Sequence, residues 1–247
     1  MQIFLNPPII TKKEKCLVLI GGVGDPAEIF EPLVAKLTSH LPDHTICTFT
    51  FSQKSNDMSL LNLQSKELGE VLNKLINHYK FKSLDLWCTS MGSYATVQAL
   101  INPIYSKHVA HAIFFDPADY YLDGQAKDVE QETTWPGYKD YHPTSPTIST
   151  QMSKLASKTI VDVVHLTVKN HNVKGYIESE YSDRNIDNPE GFTRLNTEMV
   201  KNFYNNTPIT NRGKYLKINN LPHAIFRDGD KEHNLNIIST HLEETLN

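Results

Sequence analysis

Six short apolar runs, near 16–20, 44–51, 83–88, 110–116, 160–168 and 214–218, alternate with helical patterns near 27–40, 57–80, 91–103, 189–205 and 232–245. Strands separated in this way cannot pair as tight hairpins. They form a mostly parallel sheet with right-handed crossovers and helices on both faces, an α/β class of fold. Cys16-Leu17-Val18-Leu19-Ile20 is apolar without alternation, as a strand covered on both faces must be. Ile3-Phe4-Leu5 offers an edge strand, closed by the turn signal Asn6-Pro7-Pro8. The 57–80 helix starts at Asn56 or Asp57 and carries a core stripe that includes Leu68, Val71, Leu72 and Leu75. A chain of 247 residues fits one domain, 1–247, able to bury about 70–75% of its unfolded surface without disulfides or metal.

The third run ends in a distinctive way. Ser83-Leu84-Asp85-Leu86-Trp87-Cys88 leads through Thr89 to Ser90, and Met91-Gly92-Ser93 opens an apolar helical pattern. A strand that turns sharply into a helix with serine at the corner is a nucleophile elbow. The turn lifts the hydroxyl clear of the sheet edge, and the helix N-terminus behind it favours negative charge on a bound carbonyl oxygen. The small residues Cys88, Gly92 and Ser93 allow strand and helix to approach. Cys88 itself falls inside the strand and is a poorer nucleophile candidate than the serine at the corner.

A glycine loop follows the first core strand: Gly21-Gly22-Val23-Gly24-Asp25-Pro26, before a helix patterned on Ile29, Phe30, Leu33, Val34 and Leu37. It lacks the G-x-G-x-x-G spacing, and no acidic residue ends the strand 45–51, so it is a poor dinucleotide site. Its place suits a loop that brings a second backbone N–H to the serine.

With Leu221-Pro222-His223 near the C-terminus, these segments resemble the α/β-hydrolase fold superfamily, whose members carry nucleophile, acid and histidine in that order. Gly21 stands where a histidine is common and Cys88 where a glycine is common. The resemblance implies a serine hydrolase acting on an ester, thioester or similar acyl compound, with Ser90 as nucleophile and His223 as base. The backbone N–H groups of Met91 and Val23 would form the oxyanion hole. The acid is open. Relatives mostly place it after the strand 161–168, but Lys169-Asn170-His171-Asn172 offers no carboxylate there. Asp116, which ends Ala112-Ile113-Phe114-Phe115-Asp116, is the first candidate and Asp183 the alternative, with Asp187 and Asp119 behind them. A noncatalytic small-ligand binding protein on the same fold, or an acyltransferase or lyase using the same triad, remain the competing functions.

Between 119 and 158 the chain carries Tyr120, Tyr121, Trp135, Tyr138 and Tyr141 among prolines, too long for an ordinary loop. This segment reads as a cap over the serine, with one helical piece near Thr150–Ser157 whose Met152 and Leu155 face inward. The remaining expectations are exclusions. A net charge of −4 and a pI near 6.2 argue against nucleic acid as partner. Three isolated cysteines and histidines without H-E-x-x-H spacing argue against disulfides, a metal site or a cofactor. No apolar stretch approaches 18 residues, so the expectation is a cytoplasmic protein with a small acyl substrate and no membrane partner.

Overall fold

The fold comes from a computed structural model that describes residues 3–6, 13–22, 25–52, 60–90, 92–117, 148–155, 157–167, 200–219, 221, 225–226 and 230–247. Seven strands form one sheet: β1 (Ile3–Asn6), β2 (Lys15–Ile20), β3 (His44–Phe49), β4 (Ser83–Ser90), β5 (Val109–Pro117), β6 (Ile160–Thr167) and β7 (Arg212–Asn219), in spatial order β1-β3-β2-β4-β5-β6-β7. Strands β2 to β7 are parallel, and β1 closes one edge antiparallel to β3, with Ile3 opposite Phe49. The edge strand expected at Ile3–Leu5 is therefore present.

Alternation along each strand divides the core into two layers. In β2, Cys16, Val18 and Ile20 face one cluster while Leu17 and Leu19 face the other. The first layer is covered by α2 (Leu60–Asn73), α3 (Gly92–Ile101), α5 (Ile148–Met152) and the helical residues 200–206. The second is covered by α1 (Glu31–His40) and the C-terminal helix α6 (Lys231–Leu246). A short α4 (Pro103–Ser106) joins α3 to β5.

Helix boundaries depart from the hydrophobic pattern where particular residues intervene. The 27–40 pattern divides into a 3-10 turn, Ala27–Phe30, followed by α1 with Pro32 in its first turn. Proline fits there because the first-turn N–H groups have no helical acceptor anyway. Likewise α3 stops at Ile101, short of 103. Asn102 precedes a proline, which disfavours helical backbone, and its side chain instead accepts the Ile104 N–H at 3.0 Å to cap α4.

Of the 119–158 segment, residues 119–147 and 156 lie outside the described set. The described end belongs to the core: Met152 and Leu155 are buried in the α3 layer, and the side chain of Gln98 in α3 is hydrogen-bonded to Gln151. No described helix is long and apolar enough to cross a membrane.

Candidate active site

The parallel strands bring their C-terminal ends to one edge, and two of the residues singled out from sequence, Ser90 and Asp116, lie there. Ser90 ends β4 with φ 50°, in the left-handed region that a non-glycine residue rarely adopts. Such strain persists only where surrounding structure enforces it. Here it is enforced by the close passage of α3 behind the sheet. A Cβ on Gly92 would lie 2.4 Å from the Gly21 carbonyl oxygen and 3.0 Å from the Ile20 side chain. Only glycine lets the helix start so near β2.

The glycine loop packs directly on the serine. A Cβ on Gly22 would lie 3.1 Å from Ser90 Cβ and 3.6 Å from Ser90 Oγ. The same point is 3.3 Å from Asp25 Oδ2, which accepts the Gly22 N–H at 2.8 Å. Gly22 thus has its N–H committed to Asp25, which leaves the following amide of the loop as the oxyanion donor to consider. That residue, Val23, lies outside the described set, as does Met91.

Asp116 ends β5 on the neighbouring strand. The β4–β5 register runs Thr89 opposite Phe115 and then Ser90 opposite Pro117, so Asp116 is the extra residue of a bulge. It too has positive φ, 48°. Bulges of this kind re-aim a side chain at a strand end. The Asp116 carboxylate is buried and accepts the Leu166 N–H of β6 at 3.4 Å. Two of the three non-glycine residues with positive φ among the described residues are therefore Ser90 and Asp116, side by side at the same edge. The third, Lys80, is in the turn before β4.

His223, Asp183, Asp187 and Asp119 fall outside the described residues. The flanks of His223 are described: Leu221 and Ile225 are buried, and the Phe226 ring meets Phe30 at 5.1 Å and Trp87 at 6.0 Å, edge on. The loop after β7 is thus tied to the core beside β4 on both sides of the histidine.

Cys88 is excluded as a nucleophile by its surroundings. Its thiol is wholly buried in β4, near Ser93 Oγ and the Ile113 carbonyl, and burial pushes its pKa up to about 12. No group of three or more His, Cys, Asp or Glu side chains able to hold a metal occurs among the described residues.

Asp25 is the residue that sequence reading passed over. Its contact with an amide three positions earlier is a local pattern that the spacing Gly22-x-x-Asp25 carries, but acidic residues before a proline usually signal only a turn.

No protein-family model matches the chain, and no curated protein matches it in sequence. Solved structures do match. A Bacillus licheniformis lipase superposes with TM-score 0.67 at 10% identity, over 99% of this chain and 98% of that one. Est1E of Butyrivibrio proteoclasticus, solved with ferulic acid bound, gives 0.62 at 12% identity over 99% and 93%. A monoacylglycerol lipase of Paleococcus ferrophilus gives 0.60 at 10% identity over 99% of both chains. The chain has the α/β-hydrolase fold.

Proposed function

We propose that the chain is a serine hydrolase that cleaves an ester, thioester or related acyl bond through an acyl-enzyme. The observation that carries this reading is Ser90, held at φ 50° at the end of β4 beneath the glycine loop, on the fold that the lipases above also adopt. Ser90 Oγ attacks the acyl carbon, and His223 takes the serine proton and returns it to the leaving group. Water then repeats the sequence on the acyl-enzyme. The amides of Met91 and Val23 receive the oxyanion, a contribution of about 2.7–4 kcal/mol per donor in enzymes of this kind.

Asp116 is proposed as the acid that orients His223. Its bulge, its positive φ and its burial one strand from Ser90 support that choice. Asp183 remains the alternative. The aromatic segment between 119 and 147 is proposed to cover the site and to favour an apolar acyl or aryl group.

The test is hydrolysis of short p-nitrophenyl esters by the intact chain and by Ser90→Ala. Turnover is expected to vanish in the variant while stability stays within about 1 kcal/mol, because the hydroxyl of Ser90 fills no core position. Activity retained in Ser90→Ala would refute the mechanism. An intact chain that turns over no ester and leaves Ser90 unreactive would instead favour a noncatalytic ligand-binding role.

A further inference from the structure

We propose that a cavity at the opposite edge of the sheet is a second ligand site, one that takes the phosphate group of a small phosphorylated molecule. The N-terminal edge of the sheet is basic. Every parallel strand except β3 begins at, or within two residues of, a lysine or arginine: Lys15, Lys82, Lys107, Lys158 and Arg212. Yet carboxylates outnumber these cations in the whole chain, 28 to 24. Within two residues of the six parallel-strand starts Lys13 and Lys214 add to these cations and Glu14, Asp43, Asp85 and Asp162 oppose them, seven to four, so the edge carries charge against the balance of the molecule.

Helices that run antiparallel to the strands end at this edge, and the negative ends of their dipoles account for some attraction of cations to it. Dipoles do not account for a concavity. A cavity of about 590 Å³ opens between the start of β4, the α4–β5 turn and the start of β6. Lys82, Lys107 and Lys158 reach it from those three connections, and His108 lies beside them. Lys82 is paired with Glu14, whereas Lys107 and Lys158 have no carboxylate partner among the described residues. Three cations facing one cavity with a single carboxylate between them leave a positive field that a dianion would neutralise.

The remaining lining selects among anions. Ser83 and Ser106 are among the lining residues and carry hydroxyls of the kind that donate to phosphate oxygens, and Ile101 and Val109 add apolar side chains to the lining. A phosphomonoester with a small apolar body matches both. Ser83 and Ser90 are the two ends of β4, eight residues long, so at about 3.3 Å per residue the cavity lies over 20 Å from the serine edge. The site is separate from the proposed catalytic one and does not depend on it.

Equilibrium dialysis of the full chain with labelled inorganic phosphate and with butyl phosphate tests the proposal. Both are expected to bind saturably, butyl phosphate more tightly, and more weakly as salt is raised. The double variant Lys107→Gln/Lys158→Gln is expected to lose at least about tenfold in affinity for both. Lys36→Gln, on the exposed face of α1, is expected to bind like the intact chain, and matching melting temperatures would confirm that all three are folded. Equal affinity in the double variant, or no saturable binding of either probe up to roughly 10 mM, would overturn the proposal. So would association with phosphatidylglycerol vesicles unaccompanied by binding of either soluble probe, since the cations would then serve a lipid surface.

Discussion

Strand β4 has a polar group near each end, and the two are held in opposite ways. At its C-terminal end Ser90 is partly exposed, backbone-strained and packed under glycines. Near its N-terminal end Asp85 is buried without positive φ, beside a second register shift in the β4–β5 ladder, with His44 Nε2 at 2.9 Å from one carboxylate oxygen and His111 Nδ1 at 3.3 Å from the other. One end holds its polar group for use, at the expense of backbone comfort. The other neutralises its polar group by pairing, which gives stability and leaves no reactive atom. A strand in a parallel sheet can carry both because its C-terminal edge faces the loops that form sites, while its other edge faces short return turns.

If that contrast is right, substitutions at the two ends should separate activity from stability. The largest effect is expected for the acid beside Ser90. Asp116→Asn should lower kcat by around 10⁴ while labelling of Ser90 by a fluorophosphonate stays slow but detectable, since the acid orients the histidine and is not the nucleophile. A deep loss in Asp183→Asn, with less than about tenfold in Asp116→Asn, would move the acid to the loop after β6.

At the other end, Asp85→Ala should cost about 3–5 kcal/mol, because it leaves the buried His44 and the half-buried His111 without the carboxylate they share. The labelling rate of Ser90 should change little. The loss should also depend on pH. Burial alone would raise Asp85, but the hydrogen bonds from His111 and His44 overcome it and hold the carboxyl below its ordinary 3.8. His111 is raised above its ordinary 6.5, chiefly by the hydrogen bond to Asp85, with the field of Asp162 adding to this and that of Lys15 opposing it. The contribution of Asp85 is thus present above 3.8 and lost as pH falls below it. That of His111 is full below 6.5 and lost as pH rises through its raised value. The stability difference between intact chain and variant should therefore peak between those limits, as read from urea melts across pH. A difference that grows steadily above pH 7 would contradict the pairing.

The smallest effect is expected at Asp25, which ties the Gly22 amide and so shapes the loop over Ser90. Asp25→Ala should lower kcat for a short ester by about tenfold, with a smaller change in KM and a stability loss near 1 kcal/mol. Asp25→Asn should recover most of the kcat, because its carbonyl oxygen can accept the same N–H. A variant pair that fails equally would show that the charge, not the hydrogen bond, is what the loop needs.

The difference between the ends also explains what the sequence revealed. The strand at 83–88, the turn at Ser90 and the glycine at Gly92 are local signals, because an elbow is built from consecutive residues. Strand β4 runs two residues beyond the apolar pattern because Thr89 and Ser90 continue pairing with β5 although neither is apolar. Asp116 was visible at the end of an apolar run, but its bulge was not, since a bulge is defined by register against a neighbour. The Asp85 cluster left no trace. His44 and His111 lie 41 and 26 residues away, and an aspartate between Leu84 and Leu86 resembles a solvent-facing residue of an alternating strand until the helices on that face are placed. Met91, Val23, His223 and Asp183 are known from the sequence only.

The central claim is that Ser90 is an activated nucleophile, and covalent capture tests it most directly. The intact chain is treated with a fluorophosphonate, digested, and the modified peptide located by mass spectrometry. The expected result is one phosphonyl adduct on Ser90, formed more slowly in His223→Ala and absent from Ser90→Ala. An unlabelled Ser90 in folded protein, or an adduct on another residue that persists in Ser90→Ala, would contradict it.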